Sequence, residues 1–183
     1  MLKVIASTIC GLLLCTLNAC GGESPKPKPL GATSSPSRPS AQPTIPDAVK
    51  QKNKAGVKAA VEAFVAAWNH AAATGETEPL EAISTKDCVK CVAAAKVVID
   101  TYQAGGRFEN ADWLINEVKF KGIENKIAYV ELMVQVKPNS YIASAGASPE
   151  PQPGNRNYMH FLQLRWIEGA GWNVIALDPE YSP

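Results

Sequence analysis

Between residues 48 and 75 the apolar positions recur with the period of an α-helix. Steps of three and four residues place them on one helical face, at Val57, Val61, Phe64, Val65 and Trp68. Asp47 is the expected N-cap and Gly75, after Thr74, the expected C-cap. The pattern therefore predicts a first helix with one side packed on a core.

Two shorter helices are predicted next along the chain. Pro79 suits the first turn of a helix that ends near Ile83. Residues 84–87 offer caps for a third helix that ends near Gln103, before a glycine pair. The apolar stripe of this third helix is expected to face the core and consists of Cys88, Cys91, Val92, Ala95, Val98, Ile99 and Tyr102.

The period changes to two in the second half of the chain, which is typical of strands with one buried face. Residues 113–122 and 126–137 form a predicted hairpin around "GIEN", and residues 158–168 and 172–181 form a second one. The residues between them, 138–155, are rich in Pro, Gly and Ser and are predicted to be a loop. The alternation predicts the buried face of the first hairpin as Leu114, Val118, Phe120, Ala128, Val130, Leu132, Val134 and Val136.

Helices followed by antiparallel strands predict an α+β fold, with three N-terminal helices packed on one face of a sheet of about four strands. Residues 48–183 are enough for a single domain with one core. The sequence shows no internal repeat.

The N-terminus has the pattern of an export signal. Lys3 precedes an apolar run from Val4 to Leu17, which is too short to span a bilayer. The sequence Leu17-Asn18-Ala19-Cys20 resembles the lipobox of bacterial lipoproteins, which implies a signal peptide over residues 1–19 and lipidation of Cys20. An ordinary secretory signal with Cys20 left as a free thiol is the alternative.

Residues 20–47 are predicted to be the lipidated cysteine followed by a disordered linker. Seven of the chain's 14 prolines fall in this segment, mixed with Ser, Thr and Ala, so it has little to bury. Composition of this kind also permits O-glycosylation. With Lys3 removed, 17 basic and 17 acidic residues remain, and this balance gives no basic patch for a nucleic-acid partner.

Two of the five cysteines remain in the folded region, because Cys10 and Cys15 leave with the signal peptide and Cys20 carries lipid. Cys88 and Cys91 are three residues apart, and helical residues at that spacing lie about 5–6 Å from each other, within the range of a disulfide. An oxidising compartment favours pairing. The interpretation is a structural disulfide; a thiol–disulfide oxidoreductase and a metal site completed by two further ligands are the alternatives.

The stretch "AATGETEPLEAISTKDCVKC", residues 72–91, follows a helix that ends in "AAWNHA" and lies behind a lipobox and a Pro/Ser linker. Together these features resemble an actinobacterial lipoprotein family of unknown function. That family is similar to the SnoaL-like, or nuclear-transport-factor-two-like, superfamily. The resemblance implies a curved antiparallel sheet wrapped over helices to leave a cystatin-like cone with a pocket, and it implies no activity.

The sequence offers no strong catalytic motif, since it has no Gly-rich phosphate loop, G-x-S-x-G or H-E-x-x-H. SnoaL-like enzymes place an acid–base pair inside the cone, and the residues of suitable chemistry are His160, Tyr129, Asp178, Asp112 and Arg165. His160 shares strand parity with apolar residues and is expected to point toward the pocket end of the sheet. His70 is expected to be solvated. The four tryptophans are expected to pack in the core, with a role in lining a pocket as the alternative.

No cofactor and no metal are expected, and no catalytic residue is assigned. The predicted function is a membrane-anchored extracytoplasmic lipoprotein that acts as a non-catalytic binding or accessory module. A SnoaL-like enzyme near His160 and a CxxC redox protein are the alternatives. Expected partners are the membrane, through Cys20, and an envelope protein or a small hydrophobic ligand. Members of the resembled superfamily often dimerise through the open sheet face, and the resemblance thus implies a homodimer whose contacts here would be Tyr129, Met133, Phe161 and Ile167.

Overall fold

The computed structural model describes residues 41–181, with side chains up to residue 178. The predicted signal peptide, the lipidation of Cys20 and the linker up to residue 40 lie outside the described residues. The helices are a 3-10 helix over Asp47–Lys50, then α1 (Lys54–Thr74), α2 (Glu78–Ile83) and α3 (Val89–Gln103). The strands are β1 (Arg107–Glu109), β2 (Trp113–Glu124), β3 (Ile127–Val136), β4 (Asn139–Ile142), β5 (Glu150–Gln152), β6 (Arg156–Ile167) and β7 (Gly171–Tyr181).

The start of the first helix differs from the prediction. Asp47 begins the separate 3-10 helix, and Asn53 caps α1 by accepting from the Gly56 N–H at 3.1 Å. The chain turns between the two helices because Val49, inside the 3-10 helix, is fully buried in the core. Its neighbour Trp172 is also buried and donates its Nε1–H to the Gln51 carbonyl at 2.9 Å, which fixes that turn.

The other helix ends are close to those predicted. Gly75 closes α1 in the left-handed conformation, with φ 84°, and its N–H donates to the Ala71 carbonyl at 2.8 Å. Pro79 lies in the first turn of α2, as predicted. The cap of α3 is Cys88 and not a residue of 84–87, because its Sγ accepts from the Cys91 N–H at 3.3 Å.

The main sheet has four antiparallel strands in the order β2-β3-β6-β7. A second sheet, in the order β1-β4-β5, lies partly in residues 138–155, so the prediction of a loop there was wrong. These strands have three or four residues each, and β5 contains a proline. They are too short to show an alternating pattern, and β1 pairs with β4, which is distant in sequence. The α+β class is confirmed, with three helices packed against antiparallel sheets.

Two irregularities in β2 change details of the first hairpin. Its turn is Asn125-Lys126, both with positive φ, and Gly122 lies at a register shift inside the strand instead of in the turn. A second shift, between Ile115 and Glu117, reverses the side-chain parity. Leu114 is therefore opposite Gln135 on the outer face and is exposed, against the prediction.

The core lies between the main sheet and α1. The inner face of β3 is buried at each predicted position from Ala128 to Val134, and α1 covers it with residues of its predicted stripe, Val57, Val61, Phe64 and Val65. The helices α2 and α3 contact α1 and also contact β7, so they extend the same core. The described part of residues 48–183 thus has one hydrophobic core.

Candidate functional site

A cavity of about 490 Å³ opens at the end of the main sheet where β2 begins and β3 ends. The second sheet contributes one wall and the start of β6 another. Its described lining consists of Trp113, Val136, Asn139, Gln152, Pro153, Tyr158 and His160. Its volume is within the range of small-molecule sites.

Trp113 forms one aromatic wall of the cavity, and α1 holds its backbone in place. Asn69 accepts from the Trp113 N–H at 2.8 Å and donates to the Trp113 carbonyl at 3.0 Å. The indole of Trp68, one residue earlier on α1, lies 5.0 Å from that of Trp113 between ring centroids. The first residue of β2 is therefore fixed before any ligand arrives.

His160 is the polar group at the base of the cavity. Its ring stacks on Trp113 with centroids 4.6 Å apart and planes 13° from parallel, and the ring of Tyr158 is 6.5 Å away. The residue is only 6% exposed, and its Nδ1 is buried without a hydrogen-bond partner. Burial, together with a smaller contribution from the charge of Lys90, lowers the pKa of His160 to about 4. The imidazole is therefore neutral at pH 7, and its ring is stacked on Trp113.

The other candidate acid–base residues are not brought to His160. Tyr129 lies on the opposite, outer face of the sheet, across from Gln163. Asp178 is exposed and pairs with Lys90 at 2.8 Å. Neither of these side chains is among the described lining of the cavity.

Arg165 and Asp112 are also outside the cavity lining. Arg165 makes a 2.8 Å ion pair with Asp87 on the surface. Asp112 lies half-buried, one residue before Trp113. These two candidates therefore give His160 no proton-transfer partner.

Cys88 and Cys91 are joined by a disulfide, with their Cα atoms 5.2 Å apart. Both residues are buried, at 0% and 2% exposure, and Cys88 caps α3. Buried sulfurs are inaccessible to a substrate thiol, whereas a redox-active CxxC keeps its attacking sulfur exposed.

The stripe of α3 is only partly buried. Ala95 and Val98 face the core as predicted, but Val92 is 51% exposed and Ile99 half-buried, against the prediction. The reason is that α2 does not cover this side of α3. A groove of about 520 Å³ remains between the two helices, lined by Leu80, Glu81, Ser84, Thr85, Lys86, Cys91, Val92, Ala95, Lys96, Ile99 and Asp100.

His70 is buried, at 5% exposure, and its Nε2 lies 2.9 Å from Glu76 Oε2, so the expectation that it is solvated was wrong. Among the described residues no group of His, Cys, Asp or Glu could hold a metal ion.

Sequence reasoning found His160 but missed how the cavity is assembled. Asn69, Trp113 and Tyr158 come from three different elements, and no local pattern joins them. The only available signal was the number of tryptophans, which was read as core packing. Trp172 is indeed a core residue, whereas Trp113 lines the cavity.

The chain belongs to the Family of unknown function (DUF6318), whose pattern matches residues 31–173. No curated protein matches it. No helix within residues 41–181 combines the length and apolar character that a membrane crossing needs.

Two solved structures are similar to the chain. A candidate aromatic ring hydroxylase from Novosphingobium aromaticivorans is 13% identical, with a TM-score of 0.47 over 68% of this chain and 88% of that one. An uncharacterized protein with a cystatin-like fold from Caulobacter vibrioides is 14% identical, with a TM-score of 0.44 over 69% of this chain and 87% of that one.

Proposed function

We propose that this protein is a membrane-anchored, extracytoplasmic lipoprotein of the actinobacterial type, whose SnoaL-like domain binds a small molecule without transforming it. The anchor is supported by the lipobox-like sequence that ends at Cys20 and by the Pro/Ser-rich segment after it. The domain is supported by the order of its elements, with three helices before an antiparallel sheet, and by a cavity at the open end of that sheet.

The observation that carries the proposal of binding without catalysis is that His160 Nδ1 is buried without a hydrogen-bond partner. A general base needs a reacting proton within hydrogen-bond reach and a pKa near the working pH. Burial lowers the pKa of His160 to about 4, and its Nδ1 has no carboxylate or hydroxyl to orient it. A neutral imidazole with one unpartnered ring nitrogen is suited to donate or accept one hydrogen bond in a binding site.

The test is to purify the protein from its own membrane and extract it with organic solvent. Mass spectrometry then identifies any small molecule that co-purifies, and this molecule is incubated with fresh protein. Recovery of the same molecule unchanged supports a binding module, and its conversion into a product shows an enzyme. A Cys20→Ser variant should lose the lipid mass and the membrane fraction together.

A homodimer through the outer sheet face is part of the proposal. Strand register places Met133 opposite Met159, and Phe161 next to them across from Glu131, so apolar and polar residues mix on this face. Phe161 is 37% exposed, as a contact residue would be in the free subunit. Sedimentation of the wild-type protein and of Phe161→Lys tests this: the wild type should be a dimer and the variant a monomer, and a monomeric wild type rejects it.

A further inference from the structure

We propose that the cavity beside His160 selects an uncharged, planar ring compound, which lies against the aromatic walls and hydrogen-bonds to the polar groups at their edge. This inference rests on the proposed binding function and narrows the class of ligand.

The flat shape follows from the walls. Trp113 and His160 cover each other's facing surfaces in a near-parallel stack, so the aromatic surface left toward the cavity belongs mainly to the half-buried rings of Trp113 and Tyr158. The Tyr158 ring lies at 25° to that of His160. Aromatic faces gain most contact from another flat group in an offset stack. The pair of hydrogen bonds from Asn69 keeps the Trp113 backbone in position, so this wall of the cavity needs no ordering on binding.

The absence of charge on the ligand follows from the lining. The described lining residues carry no formal charge when His160 is neutral. A charged ligand would therefore give up its hydration without gaining a counter-charge. Lys90, whose positive charge acts on His160, is already paired with Asp178 at 2.8 Å.

The need for hydrogen bonds follows from the polar groups that the cavity does contain. His160 is more than nine-tenths buried and has a ring nitrogen without a partner. The amides of Asn139 and Gln152 and the phenol of Tyr158 lie around the same space. A buried polar atom without a partner is costly. A ligand that hydrogen-bonds to His160 Nδ1 after a local rearrangement of the pocket therefore binds more tightly than a plain hydrocarbon ring.

The test uses three probes of one shape and different charge: benzamide, benzoate and the benzamidinium ion. Each is titrated into the ¹⁵N-labelled full chain in detergent, and the indole Nε1–H signal of Trp113 is followed by NMR. Benzamide should bind at least about tenfold more tightly than either ion, a difference of about 1.4 kcal/mol.

Two variants test the role of His160. His160→Phe keeps a flat ring but removes both nitrogens, and should weaken benzamide binding at least about fivefold. Phe161→Leu alters the neighbouring residue on the opposite face of β6 and should leave benzamide binding unchanged. Thermal unfolding of each variant shows whether it is folded. If His160→Phe does not fold, the relative affinities of the wild type for benzamide, benzoate and benzamidinium test the proposal without it.

Equal or tighter binding of benzoate or benzamidinium overturns the proposal, and so does a set in which none of the three probes moves the Trp113 signal. Benzamide binding that survives in His160→Phe also overturns it. These results would reject the preference for an uncharged planar ligand. The proposed binding function would still hold if the co-purified molecule is recovered unchanged and proves to be charged or flexible. The two proposals can therefore fail separately.

Discussion

The side chain of Asn69 hydrogen-bonds to both backbone groups of Trp113: its Oδ1 accepts from the Trp113 N–H at 2.8 Å, and its Nδ2 donates to the Trp113 carbonyl at 3.0 Å. This side-chain amide replaces the strand partner that the first residue of an edge strand lacks. It joins the middle of α1 to the start of β2 and so connects the core to the cavity wall.

Replacing Asn69 with Ala should lower the free energy of unfolding by about 2 kcal/mol, because two hydrogen bonds are lost and two backbone groups are left unpaired. Urea unfolding measures this change. The control is Asn116→Ala, which removes an exposed bond to Asn157 of 2.9 Å and should cost less than about 0.5 kcal/mol. Equal losses of unfolding free energy in the two variants would show that the hydrogen bonds from Asn69 to Trp113 do not stabilise the fold.

Gly75 packs against the ring of Tyr102, and a Cβ there would lie 2.5 Å from Tyr102 Cγ. Gly75→Ala should therefore cost about 2–4 kcal/mol, from the left-handed backbone and from the collision. Gly169 has a similar φ of 82° but open space around its Cβ position, so Gly169→Ala should cost only about 1–2 kcal/mol. Thermal unfolding of both variants gives the comparison, and a Gly75→Ala variant no less stable than Gly169→Ala contradicts the packing argument.

The disulfide between Cys88 and Cys91 should resist reduction in the folded protein, because both sulfurs are buried. Treatment with dithiothreitol and then a maleimide should label the peptide containing both residues in urea but not in native buffer. Rapid labelling of the native protein would favour the redox alternative. The double variant Cys88→Ala/Cys91→Ala should lose about 2 kcal/mol, since a disulfide that closes so small a loop constrains the unfolded chain weakly.

Acid should destabilise the protein through His160. Burial lowers the pKa of this residue from 6.5 to about 4 in the folded state, so the unfolded chain takes up the proton first as the pH falls. Stability should fall between pH 6.5 and pH 4 by on the order of 2–3 kcal/mol from this group and then level off. The melting temperature of His160→Phe should vary less with pH over this window. A wild-type NMR titration of His160 with a midpoint near 6.5 would contradict the prediction.

Local signals were enough to predict the helices and the main sheet. Gly75 and Pro79 mark helix ends through their own backbone preferences, and the alternation in β3 needs no knowledge of its partners. The start of α1 could not be predicted from Asp47, because burial of Val49 decides where the chain turns. The second sheet was missed because its strands are short and because β1 pairs with the distant strand β4.

The cavity depended on packing that the sequence does not encode locally. Parity along β6 was sufficient to place His160 on the inner face. The stack with Trp113 depends on the hydrogen bonds from Asn69 and on a register shift within β2. Val92 lies in the predicted apolar stripe and is exposed because α2 leaves a groove beside α3.

The most direct measurement is a crystal structure of the protein purified from its own membrane, without added ligand and with any bound small molecule retained. The account predicts difference density for a flat molecule beside Trp113, within hydrogen-bond distance of His160. Density for a bound molecule in the groove between α2 and α3 and none beside His160, or a cavity filled by the protein's own side chains, would contradict it.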